Sequence, residues 1–274
     1  MKNFALSTLL CCVILSAAAQ KLPKVQQASV YAPANIKADG KLNEWDDKFQ
    51  AYNDVNRMFY TISNDDRNLY LTARMDSHSA NAKVLSGGIT LTIKQPEQNS
   101  KSKDVKNVAV TYPVVIVSKG VSLADIKNDM SFVIRDSPYK YKRLKDAAAN
   151  ANEVNAFIAK TNTQLKSQFK EIQVLGVTEI KEPLLPVYNT EGMQAVALFN
   201  DKMEFTYELV IPLKLLENNL GKTEKLSYNI KLNAKAVIVA KGVPPAPMYM
   251  GNDLELNYQN HPTDFSGEYT LAKK

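Results

Sequence analysis

Thirteen tyrosines and one tryptophan are the side chains in this sequence best suited to binding chemistry. Tyr139 and Tyr141 stand in SPYKYKR, close to Arg135 and Lys140, and Tyr249 and Tyr258 flank GNDLELN. Carbohydrate recognition uses aromatic rings on loops beside polar groups: the C–H face of a sugar stacks on the ring while its hydroxyls take donors and acceptors. Arg135, Tyr139, Tyr141, Tyr249 and Tyr258 are therefore the candidate ligand-binding residues, although strand and loop tyrosines serve packing just as readily. Trp45 can stack on a sugar or plug a core, and its place in DGKLNEW favours the packing role.

Other constellations are thinner. Asp65 with Asp66, and Asn252 with Asp253 and Glu255, carry the hard oxygens calcium prefers. Their spacing matches no defined calcium loop, and such residues populate turns without any metal. Glu44 with Asp76, or Asp253 with Glu255, would make a glycosidase pair only at the right separation in space. Neither GxSxG nor a phosphate-cradling glycine loop occurs. Cys11 and Cys12 are the only cysteines, and both lie in the N-terminal apolar run. Beyond that run, thiolate zinc sites, iron–sulfur clusters, cysteine nucleophiles and redox pairs are excluded. The expectation is a non-catalytic protein with no cofactor and no bound metal.

The N-terminus has Lys2, an apolar run from Phe4 to Leu15, then Ser16-Ala17-Ala18-Ala19. That basic, apolar, small-residue order predicts a secretory signal over 1–19, cut after Ala19, and a secreted or periplasmic location. Leu10 before Cys11 disfavours a lipoprotein site. No other segment approaches the ~20 apolar residues a membrane span needs. Residues 20–274 fit a single domain. The net charge is +6, but lysines and arginines are scattered among acids, apart from short clusters at KSKDVK and YKYKRLK. That is a solvated surface, not a nucleic-acid footprint.

The elements that would position these residues are mostly strands. Met58, Tyr60 and Ile62 alternate with Phe59, Thr61 and Ser63. Leu69, Leu71, Ala73 and Met75 alternate with Tyr70, Thr72 and Arg74, and the polar run 64–68 between the two sets forms a hairpin loop. Further strands are expected at 89–93, 108–117, 195–199, 203–211, 227–239 and 268–271, mainly antiparallel. Between 141 and 170 the residues Ala147, Ala151, Val154, Ile158, Thr161, Leu165 and Phe169 recur at steps of three and four. They predict one amphipathic helix inserted over a face or edge of the sheet. A short helix follows Pro212.

Asp39-Gly40, then Trp45, an aromatic strand, NDDRNLYL and a strand ending near Asp76 together resemble the N-terminal half of family 9 carbohydrate-binding modules, relatives of DOMON-type domains. GGITLTI, AVALFNDKMEFTYELVIPLKLL and TDFSGEYTLAKK are similar to a subgroup of secreted Bacteroidota proteins of that architecture. The resemblance implies an all-β antiparallel β-sandwich and a glycan as partner. Sugar-binding members clamp their ligand between exposed aromatic rings, chiefly tryptophan, so a platform here falls to tyrosine. It also raises a minor haem reading, since DOMON-type relatives use His and Met axial ligands and Met75 stands near His78. The alternative is a structural or interaction component of the cell envelope that keeps the fold without the sugar site.

Overall fold

The computed structural model describes residues 21–46, 48–95, 106–115, 137–146, 150–220, 224–234 and 254–274. The alternating segments form two antiparallel sheets. One has the order β1–β2–β3–β9–β8, from Ala51–Asn53 (β1), Met58–Asn64 (β2), Asn68–Met75 (β3), Gln194–Phe199 (β8) and Phe205–Pro212 (β9). The other has the order β11–β10–β4–β5–β6–β7, from Ile89–Ile93 (β4), Val108–Tyr112 (β5), Glu171–Leu175 (β6), Leu184–Pro186 (β7), Lys225–Leu232 (β10) and Thr263–Thr270 (β11). Both are antiparallel throughout. The architecture is a β-sandwich, as the sequence predicts.

Register explains the packing. Tyr60 opposes Ala73 and Ala73 opposes Tyr207, so one parity of β2, β3 and β9 faces the second sheet. Met58, Ile62, Leu71, Met75, Phe205 and Leu209 meet Ile89, Leu91, Val110, Ile172 and Ile230 in one continuous core. Burying side chains of this size contributes roughly 1.5–3 kcal/mol each. The other parity, Phe59, Thr61, Tyr70, Thr72, Arg74, Thr206 and Glu208, points away from that core. It is covered all the same, and every residue of β9 is buried. The cover is the chain ahead of β1. Ala32 packs on Tyr70 and Val210, and Leu42, Trp45 and Phe49 pack with Phe59. Trp45 is buried, as expected, but it seals the outer face of the five-stranded sheet and does not sit between the sheets.

Three expectations need correction. The predicted helix over 141–170 is two helices, α2 (Ser137–Asp146) and α3 (Ala151–Gln168). Asn150 starts the second as its N-cap, its side chain accepting from the Glu153 N–H at 3.0 Å. Tyr139 and Tyr141 therefore lie in a helix, not on a loop ahead of one: Pro138 suits a first helical turn. The region around GNDLELN is likewise not all loop, because Leu254–Asn260 forms a helix (α4) that carries Tyr258.

The chain after β3 also turns into a helix that alternation did not anticipate (α1, His78–Gly87). The short helix after Pro212 is two 3-10 turns, Leu213–Leu215 and Glu217–Asn219. The buried stripe of α3 is the predicted one, Val154, Ile158, Thr161 and Leu165. It lies at the β8 edge, where the Asn162 amide donates to the Phe199 carbonyl and accepts from its N–H, both at 2.8 Å. β5 ends ahead of Pro113, which has no N–H to offer a ladder. The ends of the predicted strands at 108–117 and 227–239 fall in part outside the described residues.

Candidate functional site

Two places among the described residues stand out, one for its shape and one for its charge. The first is a cleft of about 590 Å³ between the chain's Asp-Gly turn, the β8–β9 hairpin and α3. Gly40, Lys41 and Asn43 form one wall, Asn200, Asp201 and Lys202 another, and Asn162 the helical side. The first wall is held by β9: Glu208 Oε2 accepts from the N–H groups of Asp39 at 3.0 Å and Gly40 at 2.8 Å, and Thr206 Oγ1 donates to the Gly40 carbonyl at 2.8 Å. Gly40 has φ +82°, and a Cβ there would lie 2.5 Å from Leu198 Cδ1. Only glycine meets both demands. The second wall is a turn tied by Asn200, whose side chain accepts from the N–H groups of Lys202 and Glu204 and donates to Glu204. Lys41, Asn43, Asp46, Asp201 and Lys202 are exposed along it. The lining offers donors and acceptors of both signs and no exposed aromatic ring.

The second place is the end of the sandwich where the turn before β2, the start of α1 and α4 meet. The Tyr258 ring has the Arg57 guanidinium 4.2 Å from its centroid and the Lys83 ammonium at the same distance. Its hydroxyl donates to the Asn56 carbonyl at 3.0 Å. Burial pushes the Tyr258 phenol up to about 12. Arg57 pairs with Glu255 at 2.6 Å and donates to Ser79 Oγ at 2.7 Å, and Ser79 in turn donates to the same Glu255 oxygen. The Arg57 contact, and then that of Ser79, holds the Glu255 carboxyl below its ordinary value. Lys83 is 0 % exposed and donates to Thr263 Oγ1 at 2.8 Å. Burial first, then the nearby Arg57 charge, lowers its ammonium to about 8.

Of the residues singled out by sequence, Tyr258 and Glu255 are in this second cluster, but Glu255 is bound to Arg57 and Ser79, and the Tyr258 ring is taken by two cations and its hydroxyl is engaged. It is not a free stacking platform. Tyr139 and Tyr141 belong to α2, while Arg135 and Tyr249 lie outside the described residues. Asp65 serves its turn: its carboxylate accepts from the N–H groups of Arg67 and Asn68 and from the Tyr70 hydroxyl, each at 2.7 Å. Glu44 is close enough to Glu208 to raise its pKa. Asp76 stands just past the end of β3, four residues on from Thr72, the partner of Glu208. Met75 is buried in the inter-sheet core and His261 is on the surface. Asn252 and Asp253 lie outside the described residues. Among the described residues, no three His, Cys, Asp or Glu side chains group as metal ligands do, and no helix is long and apolar enough to cross a membrane.

Sequence reasoning passed over Lys83 and Arg57. The signal for Lys83 was present: it is a lysine at helical spacing among Ala80, Val84 and Leu85, a position that folding places inside. Arg57 has no comparable signal, since its role depends on α4 coming back from far along the chain.

No protein-family model matches this chain, and no curated protein or solved structure shows significant similarity to it.

Proposed function

We propose that residues 20–274 act as a secreted or periplasmic, non-catalytic module that holds a glycan in the cleft between the Asp39-Gly40 turn and the β8–β9 hairpin. The observation that supports this reading is the cleft itself: about 590 Å³, lined by amide, ammonium and carboxylate groups carried on braced turns. Sugars present many hydroxyls, and a wall of mixed donors and acceptors suits them. Recognition would rest on hydrogen bonds, with no aromatic clamp, and the affinity would be modest because each polar contact is exchanged against water. The resemblance to family 9 carbohydrate-binding modules points the same way, since the motif that carries it builds one wall of the cleft.

Glycan arrays followed by calorimetry on the mature chain test the reading. Weak binding that is insensitive to salt, and is lost when Asn43 and Lys202 are both replaced by alanine in a protein of unchanged melting temperature, is the expected result. A glycan that binds the double variant as well as the parent would place the sugar elsewhere.

A second reading, an interaction or structural component of the cell envelope, is favoured by one observation. Among the side chains described, Tyr188, at 96 %, is the one strongly exposed aromatic ring, so the described surface lacks the tyrosine platform that sugar stacking needs. Failure to bind any glycan, together with specific capture of an envelope partner, would select it.

A further inference from the structure

Lys83 is a buried cation with no carboxylate opposite it among the described residues. Its ammonium has three N–H donors, and the structure gives it one oxygen, Thr263 Oγ1, and the face of Tyr258. The neighbouring charge acting on it is that of Arg57, which is of like sign. Both cations lie 4.2 Å from the same ring centroid, so they stand no farther apart than twice that distance. An isolated buried charge is among the most expensive features a fold can carry, and methionine or leucine would fill the same volume without the penalty. A group kept at such a cost belongs to a functional site more often than to a structural one.

Among the described residues, the anionic group of this cluster is the Glu255 carboxylate, which accepts from Arg57 and Ser79. Its side chain is 56 % exposed and hangs from α4, a helix of seven residues. It occupies the position that an oxyanion from solution would take. We propose that Arg57, Ser79 and Lys83 form a binding site for a small oxyanion, the carboxylate or phosphoryl group of a ligand, and that Glu255 is the displaceable internal occupant. The ligand oxyanion replaces Glu255 on Arg57 and Ser79, and its further oxygens extend toward Lys83, which the Glu255 carboxylate leaves without a counter-charge. The site shares no residue with the polar cleft, and it stands or falls independently of the glycan reading.

Thermal melting and calorimetry of the mature chain with inorganic phosphate and with sodium acetate, against sodium chloride at matched ionic strength, test this. One of the two oxyanions should raise the melting temperature and chloride should not. Phosphate alone assigns a phosphoryl group, and acetate assigns a carboxylate. Lys83→Met should abolish the response, and Arg57→Gln should weaken binding by about tenfold or more, as loss of a charge-assisted contact does. Glu255→Gln should tighten it several-fold by removing the competitor. If Lys83→Met does not fold, the Arg57 and Glu255 variants decide. Absence of any oxyanion-specific response in the parent, a full response in Lys83→Met, or unchanged affinity in Glu255→Gln would each overturn the proposal.

Discussion

The carboxylate of Glu208, on β9, accepts the backbone N–H groups of both Asp39 and Gly40, a turn 168 residues away in the chain. Glu208 is 3 % exposed and points to the outer face of its sheet, where Thr61, Thr72 and Thr206 are buried with it. A row of polar side chains on a covered sheet face is expensive unless satisfied. Here it is what docks the N-terminal segment, so the turn that walls the cleft is positioned by the sheet and not by its own sequence alone.

Burial raises the Glu208 carboxyl to about 8, with the two N–H contacts opposing. Its value in the folded protein therefore exceeds the ordinary one near 4.3. The folded state holds the proton more tightly, so stability falls as pH rises through the window from about 4.5 to 8. Glu208→Gln keeps an acceptor for the turn and removes the titration. Its melting temperature should match the parent near pH 5 and exceed it at pH 8, by an amount corresponding to about 2–4 kcal/mol. Parallel pH–stability curves for the two proteins would show that Glu208 stays ionised.

Gly40 is the other half of that relationship. A methyl group there meets Leu198 and must adopt φ +82°, so Gly40→Ala should cost roughly 1–3 kcal/mol in urea unfolding. Asp39→Asn leaves the backbone donors in place and should cost little. Equal effects from the two changes would mean that the turn's side chains, and not its backbone, dock it.

Trp45 is buried with Leu42 and Phe49, and Leu22, Val30, Ile36 and Phe59 pack against that cluster. Its indole N–H has no hydrogen-bond partner among the described residues. Trp45→Ala removes a large buried side chain and should cost about 3 kcal/mol. Because the cluster lies on the outer face, the inter-sheet core stays intact and the far-ultraviolet circular dichroism should be that of the parent. A variant that melts like the parent and loses ligand binding would reassign the residue to recognition.

Local periodicity carried most of the fold. Met58 to Met75 and Phe205 to Ile211 alternate cleanly because one parity faces the second sheet. The inserted helix declared its buried stripe at Val154, Ile158 and Leu165. The break between α2 and α3 lay in Asn150, a capping residue that an apolar count passes over. Alternation also hid the burial of the outer face: Thr61, Thr72 and Glu208 look like solvent-facing residues until the N-terminal segment is laid across them. The polar clusters were the least legible part. Arg57, Ser79, Lys83 and Glu255 are brought together from three elements, and only Ser79 and Lys83, one turn apart on α1, share a spacing along the chain. Tyr258 was singled out for its chemistry, yet tertiary contacts gave its ring to cations in place of a sugar.

Lys83 gives the opposite pH signature to Glu208. Burial and Arg57 lower its ammonium to about 8 in the folded protein, against an ordinary value near 10.4. Between those values the unfolded chain holds a proton that the folded chain has released, so stability rises with pH from about 8 to about 10.5. Below pH 8 the buried charge is present in full and its cost is constant. Lys83→Met fills the same space without charge and should lose that alkaline rise. Near pH 7 and in the absence of oxyanions it should melt no lower than the parent and as much as several degrees higher, a shift of about 1–3 kcal/mol. Chemical denaturation followed by circular dichroism at pH 7, 8.5 and 10 separates the curves. If Lys83→Met is destabilised at every pH by the same amount, the ammonium is well solvated or paired in the native state, and its burial is not a cost that any ligand needs to relieve.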